Sequence, residues 1–359
     1  MPPVILVAPA AFKGTLGPRQ VADAIATGVR RAAPGATVLE CPVADGGNGL
    51  LDVVLAPGTL RERLQVTGPI GESVSAEMGW IDGETAIMES ASACGLALVE
   101  PEDRDPMRTT TRGVGELIWT AADRGARTIV VGLGGTATVD GGTGAARGFG
   151  WTFENAAGKP LPDGGGALQD LASFGSGWGI AARVVALADV ATPLLGPEGA
   201  APVFGPQKGA RPEEIPQLAA GLERLAELWA QAGRRDLGTL PMGGAAGGLG
   251  AGLVFFAKAE LVRGAEWVLE RAGFDAALAK ADLVITAEGV FDRTSLVGKA
   301  PGEVVRRAQA AKKRIAVVAG RVESMIGVHA VGGDGTGRLL DAPALARMAE
   351  QVAREALHI

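Results

Sequence analysis

Apolar positions fall in two patterns along the chain: unbroken short runs at both ends and alternation in between. VILVAP (4–9) is apolar throughout, which predicts a strand buried on both faces. Gly17-Pro18 then supplies a turn and a proline suited to a first helical turn. Val21, Ile25 and Val29 follow at helical spacing, and Pro34-Gly35 ends the helix. TVLECPV (37–43) predicts the next strand, so the chain opens as a βαβ unit with a parallel sheet. The last eighty residues read the same way. DLVITA (282–287), a loop to Pro301, a helix through Gln309 and RIAVVAG (314–320) make a second such unit, closed by a helix from Ala342 to Leu357.

The middle differs. Residues 60–90 alternate, with Gly/Pro turns, and predict antiparallel strands. A helix around 115–125 leads to the strand RTIVVGLG (127–134). Residues 155–183 are Gly-rich and irregular, and amphipathic helices are expected over 212–233 and 260–273. The fold class is α/β with two α/β domains: a discontinuous Rossmann-like parallel-sheet domain, 1–64 plus 281–359, and a second, inserted over 65–280. No repeat occurs at solenoid spacing.

Composition removes several classes of function. A net charge of −6 argues against a nucleic-acid surface or an anionic membrane. The start, MPPVILVAPAAF, has no basic n-region, and its apolar stretch is one strand long, which predicts neither a signal peptide nor a membrane span. Cys41 and Cys94 lie in apolar surroundings with no disulfide or zinc spacing, so a reducing, cytoplasmic location is expected. With no Tyr and two His, an acid–base group would be a carboxylate or a lysine.

Glycine clusters at expected strand ends beside charged residues: ADGGNG (44–49), GLGGTATVDGGTG (132–144), GGAAGGLG (243–250) and AEGVFD (287–292). Such backbone can approach an anion closely, although each cluster could equally be a tight turn. Neither GxxxxGK[ST] nor a GxGxxG opening a βαβ unit is present. The chain has eight lysines among 34 basic residues, and four of them adjoin Gly: Lys13, Lys159, Lys208 and Lys299. Lys159 reads as a turn residue. The other three are candidates for a phosphate or a small carboxylate, a compact ammonium suiting either. Asp45, Asp140, Asp189, Glu288 and Asp292 stand at or just after apolar strands. Mg²⁺ takes hard oxygens, and a hydroxyl attacking phosphorus needs a carboxylate to orient it. Asp140, followed by a Gly-rich helix start, is also a candidate N-cap.

These stretches in order, from APAAFKGTL (8–16) and PVADGGNG (42–49) through TTRGVGELI (110–118), FGPQKGA (204–210) and GGAAGGLGA (243–251) to ADLVITAEGVFDRTSLVGKAP (281–301), resemble the bacterial glycerate kinase family. The resemblance implies two α/β domains with the active site in the cleft between them. It also implies Mg²⁺-dependent transfer from ATP to the 2-hydroxyl of D-glycerate. On that basis ATP phosphates are expected against Gly134, Gly135, Thr136, Asp140, Gly141 and Gly142 and against Gly247 and Gly248, with Lys208 and Lys13 or Lys299 offsetting their charge. Asp189 is expected to orient the acceptor hydroxyl, with Asp45 an alternative and Glu288 and Asp292 on the metal side. Departures from the family pattern stand at Ala10, Ala11, Asn48, Leu50, Val139, Thr192, Ala287, Thr294 and Ser295. They leave two alternatives: a kinase for another small hydroxy acid, or a ligand-binding relative that has lost transfer. The oligomeric state stays open, a homodimer included.

Overall fold

The computed structural model describes residues 2–12, 14–296, 298–323, 328–333 and 340–358. The chain divides into two compact units, one made of Met1–Ala56 and Arg263–Ile359, the other of Pro57–Val262.

The first unit is built on a five-stranded sheet of β1 (Val4–Val7), β2 (Thr37–Glu40), β11 (Leu283–Phe291), β12 (Arg314–Val322) and β13 (His329–Gly332), in the order β13-β12-β11-β1-β2. Every pairing is parallel, with Ile5 beside both Val38 and Leu283. Both faces are covered, which is why the strands read as unbroken apolar runs. Ile5 and Val7 join Val21, Ile25, Leu345 and Val352 in one core, from the helices Pro18–Ala32 and Ala342–Leu357. Leu6 and Val284 join Phe274, Val304 and Val317 in another. The two helices of the first core touch closely. A Cβ on Gly28 would stand 2.0 Å from the Ala346 carbonyl oxygen, so only glycine fits there.

The second unit carries a six-stranded sheet of β3 (Arg61–Thr67), β4 (Ser73–Trp80), β5 (Thr85–Glu89), β6 (Thr128–Gly132), β9 (Arg183–Ala188) and β10 (Glu260–Arg263), in the order β10-β9-β6-β5-β4-β3. β3, β4 and β5 pair antiparallel, as their alternation predicts, while β5, β6 and β9 run parallel. Its core holds Val114, Leu117 and Ile118 of the helix Arg112–Asp123 and Leu218, Leu222 and Leu225 of the helix Ile215–Gln231. At one end Trp151, Phe174, Trp229, Phe255 and Phe256 pack ring against ring.

Three local expectations change. Within the irregular 155–183 stretch, β8 (Leu171–Phe174) pairs antiparallel with β7 (Phe153–Asn155). The helix expected over 260–273 is a strand, β10, followed by a shorter helix, Gly264–Arg271: ELVR is too short to hold a helical face and completes a sheet edge instead. The helices Gly264–Arg271 and Phe274–Lys280, read as part of the insertion, bury Ala265, Leu269, Phe274 and Leu278 in the first unit's core. Cys41 and Cys94 are both buried and unpaired, in line with their apolar surroundings. No helix among the described residues is long and apolar enough to cross a membrane.

Candidate functional site

In the second unit, Glu89, Gly132 and Leu187 are neighbours in register, so β5, β6 and β9 end side by side. Ser90, the 133–140 loop and Asp189 leave from this carboxyl edge, where open parallel sheets take ligands. Asp189 directly follows β9 and is half-buried. Gly135 is exposed and Gly134 half-buried, and the Gly134 amide donates to Ser90 Oγ at 3.4 Å. These are the loop's accessible backbone.

Lys208 is not accessible. It is 3% exposed, and its Nζ donates to Thr136 Oγ1 (2.9 Å) and to the Thr138 carbonyl (2.7 Å). Lys208 and Thr136, both expected against a phosphate, bond to each other here, and the ammonium ties down the 136–138 segment. Burial pushes the Lys208 amine down to about 8. Nearby Cys94 and Asp140 oppose that fall.

Asp140 is also walled in, at 0% exposure. Its Oδ2 accepts from the Thr111 amide (2.8 Å), the Thr111 hydroxyl (2.8 Å) and the Gly144 amide (3.1 Å), and its Oδ1 from the Gly142 amide (3.0 Å). Burial outweighs these four donors and raises the carboxyl above its usual range. Asp140 pins a loop to a helix start. Gly141, Gly142, Gly247 and Gly248 are buried as well. Gly141 N donates to the Gly247 carbonyl (3.1 Å), and a Cβ on Gly247 would stand 1.9 Å from the Thr138 carbonyl oxygen. Those glycines let two loops pack backbone on backbone, a demand that in sequence looks the same as phosphate approach.

The Lys208 environment has a measurable consequence. An unfolded lysine holds its proton to an ordinary 10.5, the folded one to about 8, so between those values the unfolded state binds more protons. Stability then rises with pH across that window. Wild type is expected to gain on the order of 3 kcal/mol relative to Lys208→Met between pH 8 and 10.5. Denaturant unfolding of both proteins at the two ends of the range checks this, and a pH-independent difference would contradict it.

In the first unit the site residues again lie at the carboxyl ends of parallel strands. Asp45 follows β2, is half-buried, and accepts from the Gly47 amide at 3.1 Å. Glu288 lies on β11 beside Ala319 of β12, and is 9% exposed. Its Oε1 is shut from water and has no hydrogen-bond partner. Burial raises the Glu288 carboxyl; Asp292 and Asp45 push it the same way, while a hydrogen bond from Ser295 and the charge of Lys299 pull it back. Lys299 is half-buried at the N-cap of the helix Ala300–Ala310. Three further sequence candidates, Asp45, Asp292 and Lys299, thus act electrostatically on Glu288. Lys13 lies outside the described residues. Among the described residues no group of three or more His, Cys, Asp or Glu side chains could hold a metal ion by itself. Mg²⁺, which keeps waters and phosphate oxygens beside one or two carboxylates, does not need such a group.

The model of the glycerate kinase family matches residues 5–358. The chain belongs to the glycerate kinase family. It is 41% identical over 325 residues to the glycerate kinase of Bacillus subtilis (strain 168), covering 89% of this chain and 85% of that protein. It is 41% identical over 331 residues to the glycerate 2-kinase of Escherichia coli (strain K12), with 90% and 87% covered. The crystal structure of a "putative glycerate kinase 2" from Salmonella typhimurium LT2 superposes with a TM-score of 0.81 at 37% identity, covering 100% of this chain and 99% of that one.

Several departures from the glycerate kinase family pattern are not at exposed loop positions. Leu50, Val139 and Ala287 are each 0% exposed. These substitutions exchange polar or small groups for apolar ones inside packed cores, and Val139 and Ala287 belong to core clusters. Asn48 is exposed and Ala10 and Ala11 are half-buried, so these three remain positions where a ligand could register the change. The side chain of Thr294 lies outside the described residues. The sequence reading quoted Thr110 and Thr111 within a motif but gave no role to the 104–111 segment, whose Thr109, Thr110 and Thr111 are buried against the 137–144 loop. Three successive threonines with no apolar period were the available signal.

Proposed function

We propose that the chain transfers the γ-phosphate of ATP to D-glycerate, giving 2-phosphoglycerate. Beyond family membership, the observation that supports this reading is Glu288: a carboxylate oxygen buried without a partner, beside Asp292, Asp45 and Lys299. Burying such an atom costs stability unless a ligand completes it. Glu288 and Asp292 have the hard oxygens that would hold Mg²⁺, and Mg²⁺, when bound, neutralises charge on the transferring phosphate. Lys299 offsets further negative charge. Asp189, at the end of β9, orients the acceptor hydroxyl, and Asp45 is the corresponding carboxylate of the first unit. Gly135, exposed in the 133–140 loop, offers open backbone to a phosphate.

A coupled assay with ATP, Mg²⁺ and D-glycerate tests the activity, and phosphorus NMR of the product distinguishes the 2- from the 3-phosphate. Folded wild type without turnover defeats the proposal. Ala10, Ala11 and Asn48 favour a second reading, a different small hydroxy acid as acceptor. Higher kcat/KM for another 2-hydroxy acid than for D-glycerate would select it.

A further inference from the structure

Arg104 is a cation without a counterpart. Its side chain makes no hydrogen bond or ion pair with the described residues, and its Nε is shut from water with no acceptor. Arg147 Nε and the indole nitrogens of Trp151 and Trp229 are likewise buried without a hydrogen-bond acceptor, but none of these three is an unpaired cation. Arg147 sits 3.1 Å from Asp163 and donates to the Leu161 carbonyl, and the indoles of Trp151 and Trp229 lie within the aromatic cluster.

The segment that Arg104 opens is bound through Thr109 and Thr111 to the loop already described. Asp105 Oδ1 accepts from the Met107 amide (2.9 Å), closing a turn. Thr109 Oγ1 donates to the Ala137 carbonyl (2.8 Å), and Thr138 Oγ1 to the Thr109 carbonyl (2.8 Å). Thr111 then meets Asp140. Behind Arg104 stands Gly209, next to Lys208: a Cβ there would lie 2.1 Å from the Arg104 carbonyl oxygen and 2.8 Å from its Cβ. The backbone of Arg104 is therefore packed against the Lys208 turn, and the threonines that follow it against the 136–140 loop, while its guanidinium is left without a carboxylate. Lys208, the cation that the sequence points to, is occupied by Thr136 and Thr138.

We propose that Arg104 is a substrate-binding residue whose guanidinium fork takes an oxyanion of a reactant, a carboxylate or a phosphate, beside the 134–138 loop. A planar five-donor fork matches either group with two parallel hydrogen bonds, which a lysine cannot do. The inference rests on the kinase reading for the identity of the reactants, and its test is made by binding so that the two can fail separately.

Calorimetric titration of the full chain with ATP and, separately, with D-glycerate is made on wild type, Arg104→Ala and Arg104→Lys. Arg104→Ala is expected to weaken one ligand at least about tenfold, the size of a lost charge-assisted hydrogen bond. The other ligand is expected to bind as before. A weakened D-glycerate identifies the carboxylate and a weakened ATP the phosphate. Arg104→Lys is expected to recover only part of the loss, and guanidinium ion added to Arg104→Ala is expected to restore binding, which a structural role would not produce. Unchanged binding of both ligands by Arg104→Ala overturns the inference. So does an equal loss of both with a lowered thermal midpoint and no guanidinium rescue. Wild type that binds both ligands without transferring phosphate defeats the kinase proposal and leaves these binding results to decide the role of Arg104; wild type that binds neither overturns both.

Discussion

Exchanging Glu288 for glutamine is expected to lower kcat about 10²- to 10⁴-fold, the range for losing one group that handles protons or charge in a transition state. The same change is expected to leave the thermal midpoint where it is or to raise it. Glu288 is buried, its Oε1 has no partner, and Asp45 and Asp292 press on it with like charge. Each of those conditions makes the free carboxylate unfavourable in the folded chain, and glutamine removes the charge at nearly constant shape. Activity and stability therefore move in opposite directions, as expected where a site is kept strained for its ligand. If Glu288 holds Mg²⁺, the metal concentration for half-maximal rate rises as well. Steady-state kinetics across Mg²⁺ concentrations and calorimetric melting measure both effects. A kcat within about threefold of wild type would remove Glu288 from the mechanism.

Asp140 is expected to behave in the opposite sense. Asp140→Ala leaves the Thr111, Gly142 and Gly144 amides and the Thr111 hydroxyl without their acceptor in a region closed to water. Breaking a buried, hydrogen-bonded charge costs about 3–5 kcal/mol. For a unit spanning Pro57–Val262 this lowers the thermal midpoint by roughly 6–20 °C. Asp140→Asn, which keeps one acceptor oxygen, is expected to fall between. The loss in turnover should then follow the loss of folded protein and recover at low temperature. A variant that melts with wild type but is catalytically dead would return Asp140 to the ligand side and contradict the placement given above.

The contrast between these two carboxylates shows where sequence reading succeeds and where it stops. Apolar runs such as VILV and LVIT announce strands buried on both faces, and alternation from Arg61 to Trp80 announces a hairpin, because side-chain period and burial are coupled directly. Asp140 and Glu288 give the same signal, an acid beside glycine after a strand. One spends both oxygens on backbone amides; the other keeps one unspent. Partners thirty residues away, such as Thr111 for Asp140, decide which, and no local pattern encodes them. Lys208 misleads for the same reason: a lysine between glycines reads as an exposed phosphate ligand until Thr136 and Thr138 close over it. Arg104 escapes notice because one arginine among many carries no pattern at all.

The sheet that joins both ends of the chain also sets an order of events during synthesis. β1 lies in the sheet interior, and Val4 donates its amide to Asp282, 278 residues further on. A ribosome releases the whole of 57–262 before the strand that completes β1 exists. Until then the VILV run travels as an exposed apolar edge, the kind of surface on which nascent chains aggregate or recruit chaperones. The inserted unit has all of its own strands by that time, so it can fold first and leave the split unit to close last.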